Sequence, residues 1–162
     1  MPVLLKDEML SASTVVRSSA DGLYALVADV TRIPQWSPET VRAEWVGPTR
    51  FKARNRRRLA RWQTVADVVT ADPGREFSFV VQAMGGDWTQ WTYRIDPHPD
   101  PGCVQLTETM RMCVKLPWAI VAYEWLFLFV RDRRSDLESN LQRSVDRIRV
   151  IVETSESRQG VQ

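Results

Sequence analysis

The sequence predicts an α+β fold in which a curved, seven-stranded antiparallel sheet wraps around a long C-terminal helix. Three observations carry this expectation. Six consecutive segments between residues 41 and 112 alternate apolar and polar side chains with period two, joined by short turns. A further alternating segment stands apart near the start, followed by two short helical patterns. Near the end, Leu137, Leu141, Val145, Ile148 and Val152 recur at intervals of four, four, three and four, with Arg, Asp and Glu between them.

Residues 10–16 read as the first strand. Ser18-Ser19-Ala20-Asp21 then offers a helix start, because a serine with an acid close behind satisfies exposed backbone N–H groups. Leu23, Leu26, Val27 and Val30 follow at helical spacing, and Pro34 and Pro38 limit the next segment to a short helix or turn. Strand segments then cover 41–46, ended by Gly47-Pro48, and 51–58 and 62–72, ended by Pro73-Gly74. Another centres on Phe77, Phe79 and Val81 and ends at Gly85-Gly86; the next runs from Thr89 to Ile95. Pro97-His98-Pro99-Asp100-Pro101-Gly102 is a loop, and Val104 to Met112 completes the set. The last helix spans about 132–153. One domain is expected over 10–153, with an N-terminal tail at 1–9 and a C-terminal tail at 154–162.

The composition narrows the function classes. Hydrophobic residues are 44% and charged residues 26% of 162, so the chain can bury a sizeable core. A net charge of +2 gives no global reason to expect nucleic acid or membrane binding. Asp7 and Glu8 stand where a secretory signal would be apolar, so no targeting segment is read. Cys103 and Cys113 lie ten positions apart in one extended segment, roughly 33 Å, beyond disulfide reach. Unpaired cysteines fit a reducing compartment, and a cytoplasmic location is expected. His98 is the single histidine and sits in the proline loop, which argues against histidine-based nucleophilic or metal chemistry. No glycine-rich phosphate loop is present, and neither a metal nor a cofactor is expected.

Strand parity places Phe51, Asn55, Trp62, Thr64, Phe77, Phe79, Trp91, Tyr93, Leu106, Glu108 and Met110 on one inner face, with Trp36 and Trp45 positioned to close one end. Each aromatic taken alone is ordinary core. As a set they imply an aromatic-lined pocket, since one helix covers only part of such a sheet. Asn55 and Glu108 are the informative exceptions, polar groups on an apolar face that require partners. They either bond to one another or to water, or they meet a ligand's polar end. Residues 116–130, apolar except for Glu124, read as core or a homodimer contact, a lid over the pocket, or an element dipping into a membrane. The run is too short to span a bilayer, so no stable insertion is expected. Arg54, Arg56, Arg57, Arg58 and Arg61, with Arg131, Arg133 and Arg134, read first as a solvated face.

The segment Asp29-Val30-Thr31-Arg32-Ile33-Pro34-Gln35-Trp36-Ser37-Pro38-Glu39 resembles a motif of the SRPBCC superfamily, the START-like and pollen-allergen-like helix-grip proteins and the polyketide cyclase/dehydrase family. Phe51-Lys52-Ala53-Arg54-Asn55-Arg56 followed by Trp62-Gln63-Thr64 is similar to its paired strands, although Ala53 stands where glycine is common. The resemblance covers about 10–153 and implies a helix-grip fold with a ligand cavity. It leaves three readings open: binding of a hydrophobic small molecule or lipid for sequestration or transport, turnover as a polyketide cyclase or dehydratase, or regulation through protein contacts. Under the enzyme reading Glu108 or Tyr93 moves protons and Asn55 orients a carbonyl. The first reading is preferred, with no nucleic-acid partner expected.

Overall fold

The computed structural model describes residues 4–115, 117–120, 122 and 132–161. Strand β1 (Met9–Arg17) leads into helix α1 (Ala20–Val27) and a 3-10 helix (Val30–Gln35). Ser19 caps α1 by accepting from the Gly22 N–H at 3.0 Å, and Asp29 caps the 3-10 helix through Thr31. Strands β2 (Thr40–Trp45), β3 (Arg50–Arg57), β4 (Ala60–Asp72), β5 (Glu76–Ala83), β6 (Gly86–Pro97) and β7 (Cys103–Met112) follow as an antiparallel meander. The β5–β6 hairpin turns at Met84 and Gly85, both at positive φ, which matches the right-handed twist of the flanking strands. Helix α2 (Arg133–Gln159) closes the chain, capped at its start by Asp132.

The sheet order is β1-β7-β6-β5-β4-β3-β2, so the first two strands lie on opposite edges. β1 pairs with β7 from Met9↔Arg111 to Arg17↔Cys103. Helix α2 packs along β1 and β7, burying Leu137, Leu141, Val145, Ile148 and Val152. The apolar stripe at spacing four and three therefore sets which side of the helix meets the sheet. Val16, Leu106 and Leu23 fill the space beneath it and are fully buried.

The tails differ from expectation. Helix α2 continues through Gln159, held by Ser18 Oγ donating to Glu156 Oε1 at 2.7 Å and by the Arg17 N–H donating to Glu153 at 3.0 Å. Polar composition alone marked 154–159 as a tail; contacts with β1 make the segment helical. At the other end Leu4 is buried, and the Asp7 N–H donates to the Met112 carbonyl, so residues 4–8 are tied to β7. The readings of 116–130 as core, lid, dimer contact or membrane-dipping element fall outside the described residues except at 117–120 and 122.

Leu141 is among the most deeply buried side chains of the helix. Leu141→Ala is expected to cost on the order of 2–5 kcal/mol in a urea melt, by lost burial and a residual cavity. An unchanged midpoint would show that this face of α2 does not hold the helix to the sheet.

Candidate functional site

The inner faces of β3 to β6 extend beyond the reach of α2, and there a cavity of about 500 Å³ opens. Its walls combine the strand parity described above with the first turns of α2. Phe51, Asn55, Trp62, Thr64, Phe79, Trp91, Tyr93, Glu108 and Met110 all line it. Trp36, Phe77 and Leu106 do not. Trp36 is fully buried behind the wall, where its carbonyl accepts from Ser144 and Arg147 of α2 at 3.5 Å each. Phe77 packs edge-on against Tyr24 of α1, and Leu106 is sealed in the core between strands and helix. Phe77 and Leu106 share the inward parity, but α1, the 3-10 helix that Trp36 ends, and α2 cover that part of the sheet. Trp45 remains partly exposed and stacks edge-on against Phe51 at 5.8 Å.

Several lining residues escaped the sequence reading. Trp88 is the extra residue where the β5–β6 register shifts between Val81 and Gln82, so an even-numbered position reaches the wall. Asn140 and Ser144 sit on the edge of the apolar stripe of α2, three and seven residues after Leu137, a spacing that puts them on the same side. Thr40 and Ile120 also line the space, as does Ala66, on the parity of Trp62 and Thr64.

Two polar centres lie on the wall, well separated along the sheet. The first is Asn55. Its Oδ1 accepts from Thr40 Oγ1 at 2.9 Å and its Nδ2 donates to Thr64 Oγ1 at 3.1 Å. Asn55 and Glu108 do not bond to each other; the two threonines satisfy the amide instead. The second centre is Glu108, 2% exposed, with Tyr93 directly opposite on β6. Trp36 Nε1–H donates to Tyr93 Oη at 3.2 Å, and Tyr93 in turn hydrogen-bonds Glu108. Among the described residues, Glu108 Oε2 is buried without a partner. Burial pushes the Glu108 carboxyl up to about 8, partly offset by the Tyr93 hydrogen bond, so Glu108 is protonated at neutral pH. Burial and the neighbouring Glu108 also drive the Tyr93 phenol well above its usual range.

The rim is held by charge. Arg57, on the inward parity of β3 at the strand's end, binds Asp136 of α2 through both Nη atoms, at 2.6 and 2.5 Å, and Glu39 at 3.0 Å. These bonds raise the Arg57 pKa further above its usual value against the cost of burial. Arg133 approaches Asp136 at 3.5 Å and Glu39 at 3.9 Å. The reading of this row as a solvated face holds for the exposed Arg54 and Arg56 and fails for Arg57, whose partner lies far along the chain. Among the described residues, no group of three His, Cys, Asp or Glu side chains is placed to hold a metal ion. None of the described helices is long and apolar enough to cross a membrane.

A titratable group forced to stay neutral makes stability depend on pH. The folded Glu108 carboxyl ionises near 8, against about 4.5 when unfolded, so its contribution is complete below about pH 4.5 and lost as pH rises toward 8. Glu108→Gln is expected to flatten the fall in stability between pH 5 and 9 and to gain on the order of 3 kcal/mol over the parent chain at pH 9. Parallel pH-dependent urea melts that superimpose would refute the buried-acid assignment.

Comparison with known proteins agrees with this architecture. No curated protein matches the chain. Among solved structures, a polyketide-cyclase-like protein of Corynebacterium glutamicum aligns over 94% of this chain and 95% of its own, at 24% identity and a TM-score of 0.61. The ZhuI aromatase/cyclase of a Streptomyces species aligns over 90% and 93%, at 18% identity and a TM-score of 0.59. A START superfamily protein of Mycobacterium smegmatis covers 83% and 97%, at 19% identity and a TM-score of 0.56. These likenesses establish the helix-grip fold. The model of the family described as "Polyketide cyclase / dehydrase and lipid transport" matches residues 9–151, and the chain belongs to that family.

Proposed function

We propose that the protein binds a hydrophobic small molecule or lipid in this cavity, to sequester or carry it. The observation that carries the reading is the cavity itself: about 500 Å³, its surface mainly apolar, walled by Phe51, Phe79, Trp88, Trp91 and Met110. Its size lies within the usual range for small-molecule sites. An apolar ligand there gains roughly 25 cal/mol for each Å² taken from water, and Thr64 or Asn140 can orient it. The family's description names lipid transport beside cyclase and dehydrase chemistry, which supports a hydrophobic ligand. The two unpaired cysteines support a reducing, cytoplasmic setting.

A second reading, cyclase or dehydratase turnover, is favoured by one observation: Glu108 and Tyr93 meet at the cavity wall, and the acid holds its proton at neutral pH. Against it, Asn55 already spends an acceptor and a donor on Thr40 and Thr64 and lies four strands away from β7. The carbonyl-orienting role that the enzyme reading gives Asn55 is therefore not met beside Glu108 and Tyr93.

Native mass spectrometry of the chain purified from its own host tests the main reading. The wild type is expected to carry a ligand mass, and Ala66→Trp, which fills the cavity, is expected to lose it while keeping a cooperative melt. Bare protein from the wild type, together with no quenching of its tryptophans by added polycyclic hydrocarbon, would end the binding reading. Product formation by the wild type that Glu108→Gln abolishes, with ligand still bound, would replace it with the enzyme.

A further inference from the structure

Glu108 lines the cavity, and its Oε2 is a buried polar atom without a partner among the described residues. An unsatisfied buried oxygen costs free energy unless something occupies the position. The hydrogen-bond chain leading to it has a fixed direction. Indole Nε1–H of Trp36 can only donate, so Tyr93 Oη must accept from it at 3.2 Å. The phenol proton then points onward to Glu108 and occupies one carboxyl oxygen as acceptor. The remaining oxygen is where a protonated carboxyl carries its hydrogen. We infer that Glu108 Oε2–H is the donor that anchors the buried end of the ligand, and that this end is an uncharged oxygen acceptor, a ketone or ester carbonyl, instead of a carboxylate or an ammonium. The inference rests on the cavity-binding reading and narrows its ligand class.

The surrounding charges favour this class. The charged residues on the described wall are Glu39, Arg61 and Arg133. Arg61 lies on β4, three strands from β7, roughly 14 Å along the sheet. Arg133 and Glu39 belong to the rim network with Arg57 and Asp136. Among the described residues, Tyr93 is the ionisable group acting on Glu108, and its phenol is held well above its usual range. On β1, Ala12 faces Glu108 in register and adds no charge. A ligand carboxylate at this end would therefore be a second buried acid without a cation. A ligand ammonium would have to shed its water and ionise Glu108, in a wall whose nearest lining neighbours are Met110 and Tyr93.

The test uses the whole chain and four tricyclic probes of matched shape: fluorene, 9-fluorenone, fluorene-9-carboxylic acid and 9-aminofluorene. Binding is read from quenching of Trp62, Trp88 and Trp91, which line the cavity. Within each protein the ketone-to-hydrocarbon affinity ratio is the readout, so partial misfolding cancels. At pH 6.5 the ratio is expected to be about five- to tenfold, falling toward one as pH rises through the range where Glu108 ionises. Glu108→Gln, which keeps an N–H donor, is expected to retain the ratio and make it independent of pH; Glu108→Met is expected to abolish it. The acid or the amine binding tightest, or a ratio of one in the wild type at pH 6.5, would overturn the inference while leaving cavity binding intact. Failure of all four probes would overturn cavity binding and the inference with it.

Discussion

One amphipathic helix cannot cover a seven-stranded sheet, and the rest of the molecule follows from that mismatch. A helix with its side chains is about 10 Å across, whereas seven strands at about 4.8 Å spacing present roughly 30 Å of inner face. Helix α2 spends its apolar stripe on β1 and β7. Helix α1 and the 3-10 helix cover part of what remains, through Tyr24 on Phe77 and Trp36 on Tyr93. The inner faces of β3 to β6, with the Glu108 and Met110 end of β7, are left as cavity wall. What keeps the empty space from collapsing is a band of rings, Trp45–Phe51–Phe79–Tyr93–Trp36, each edge-on or tilted to the next. Rings locked against one another cannot swing inward.

The rim adds a second restraint of a different kind. Arg57, Glu39 and Asp136 bring together β3, the segment after the 3-10 helix and the first turn of α2. Removing one partner of such a half-buried trio strands the others, so the network acts as a registration device between sheet and helix. It fixes where α2 begins relative to the cavity, and with it where Leu137, Asn140 and Ser144 stand on the wall.

Much of this was legible in the sequence because period two survives wherever a strand is regular. Phe51, Thr64, Trp91 and Glu108 could be assigned to one face from parity alone, and they share the cavity. The bulge between Val68 and Thr70 does shift parity, placing Ala71 opposite Phe77, but it falls beyond the cavity positions of β4. Where a bulge does touch the wall, parity fails, and Trp88 went unread. Parity also says which face a residue takes without saying what covers it, which is why Phe77 and Leu106 were grouped with the lining. Pairings between distant polar residues, Arg57 with Asp136 or Asn55 with Thr40, leave no periodic trace at all. The same holds for Ser18 with Glu156, which turns a polar tail into the last turns of a helix.

The position of β1 has a consequence for how the chain reaches this state. β2 to β7 form successive hairpins, each pairing with its immediate neighbour in sequence. β1 must instead wait for the last strand, since residues 9–17 pair with residues 103–111. During synthesis its backbone donors and acceptors have no sheet partner until almost all other strands have emerged, and α2, which packs on β1, comes later still. Closing so long a loop is entropically costly and slows folding. The nascent meander therefore exists for a time as an open sheet with its aromatic face uncovered, the interval in which the chain is most exposed to association with other copies or capture by chaperones.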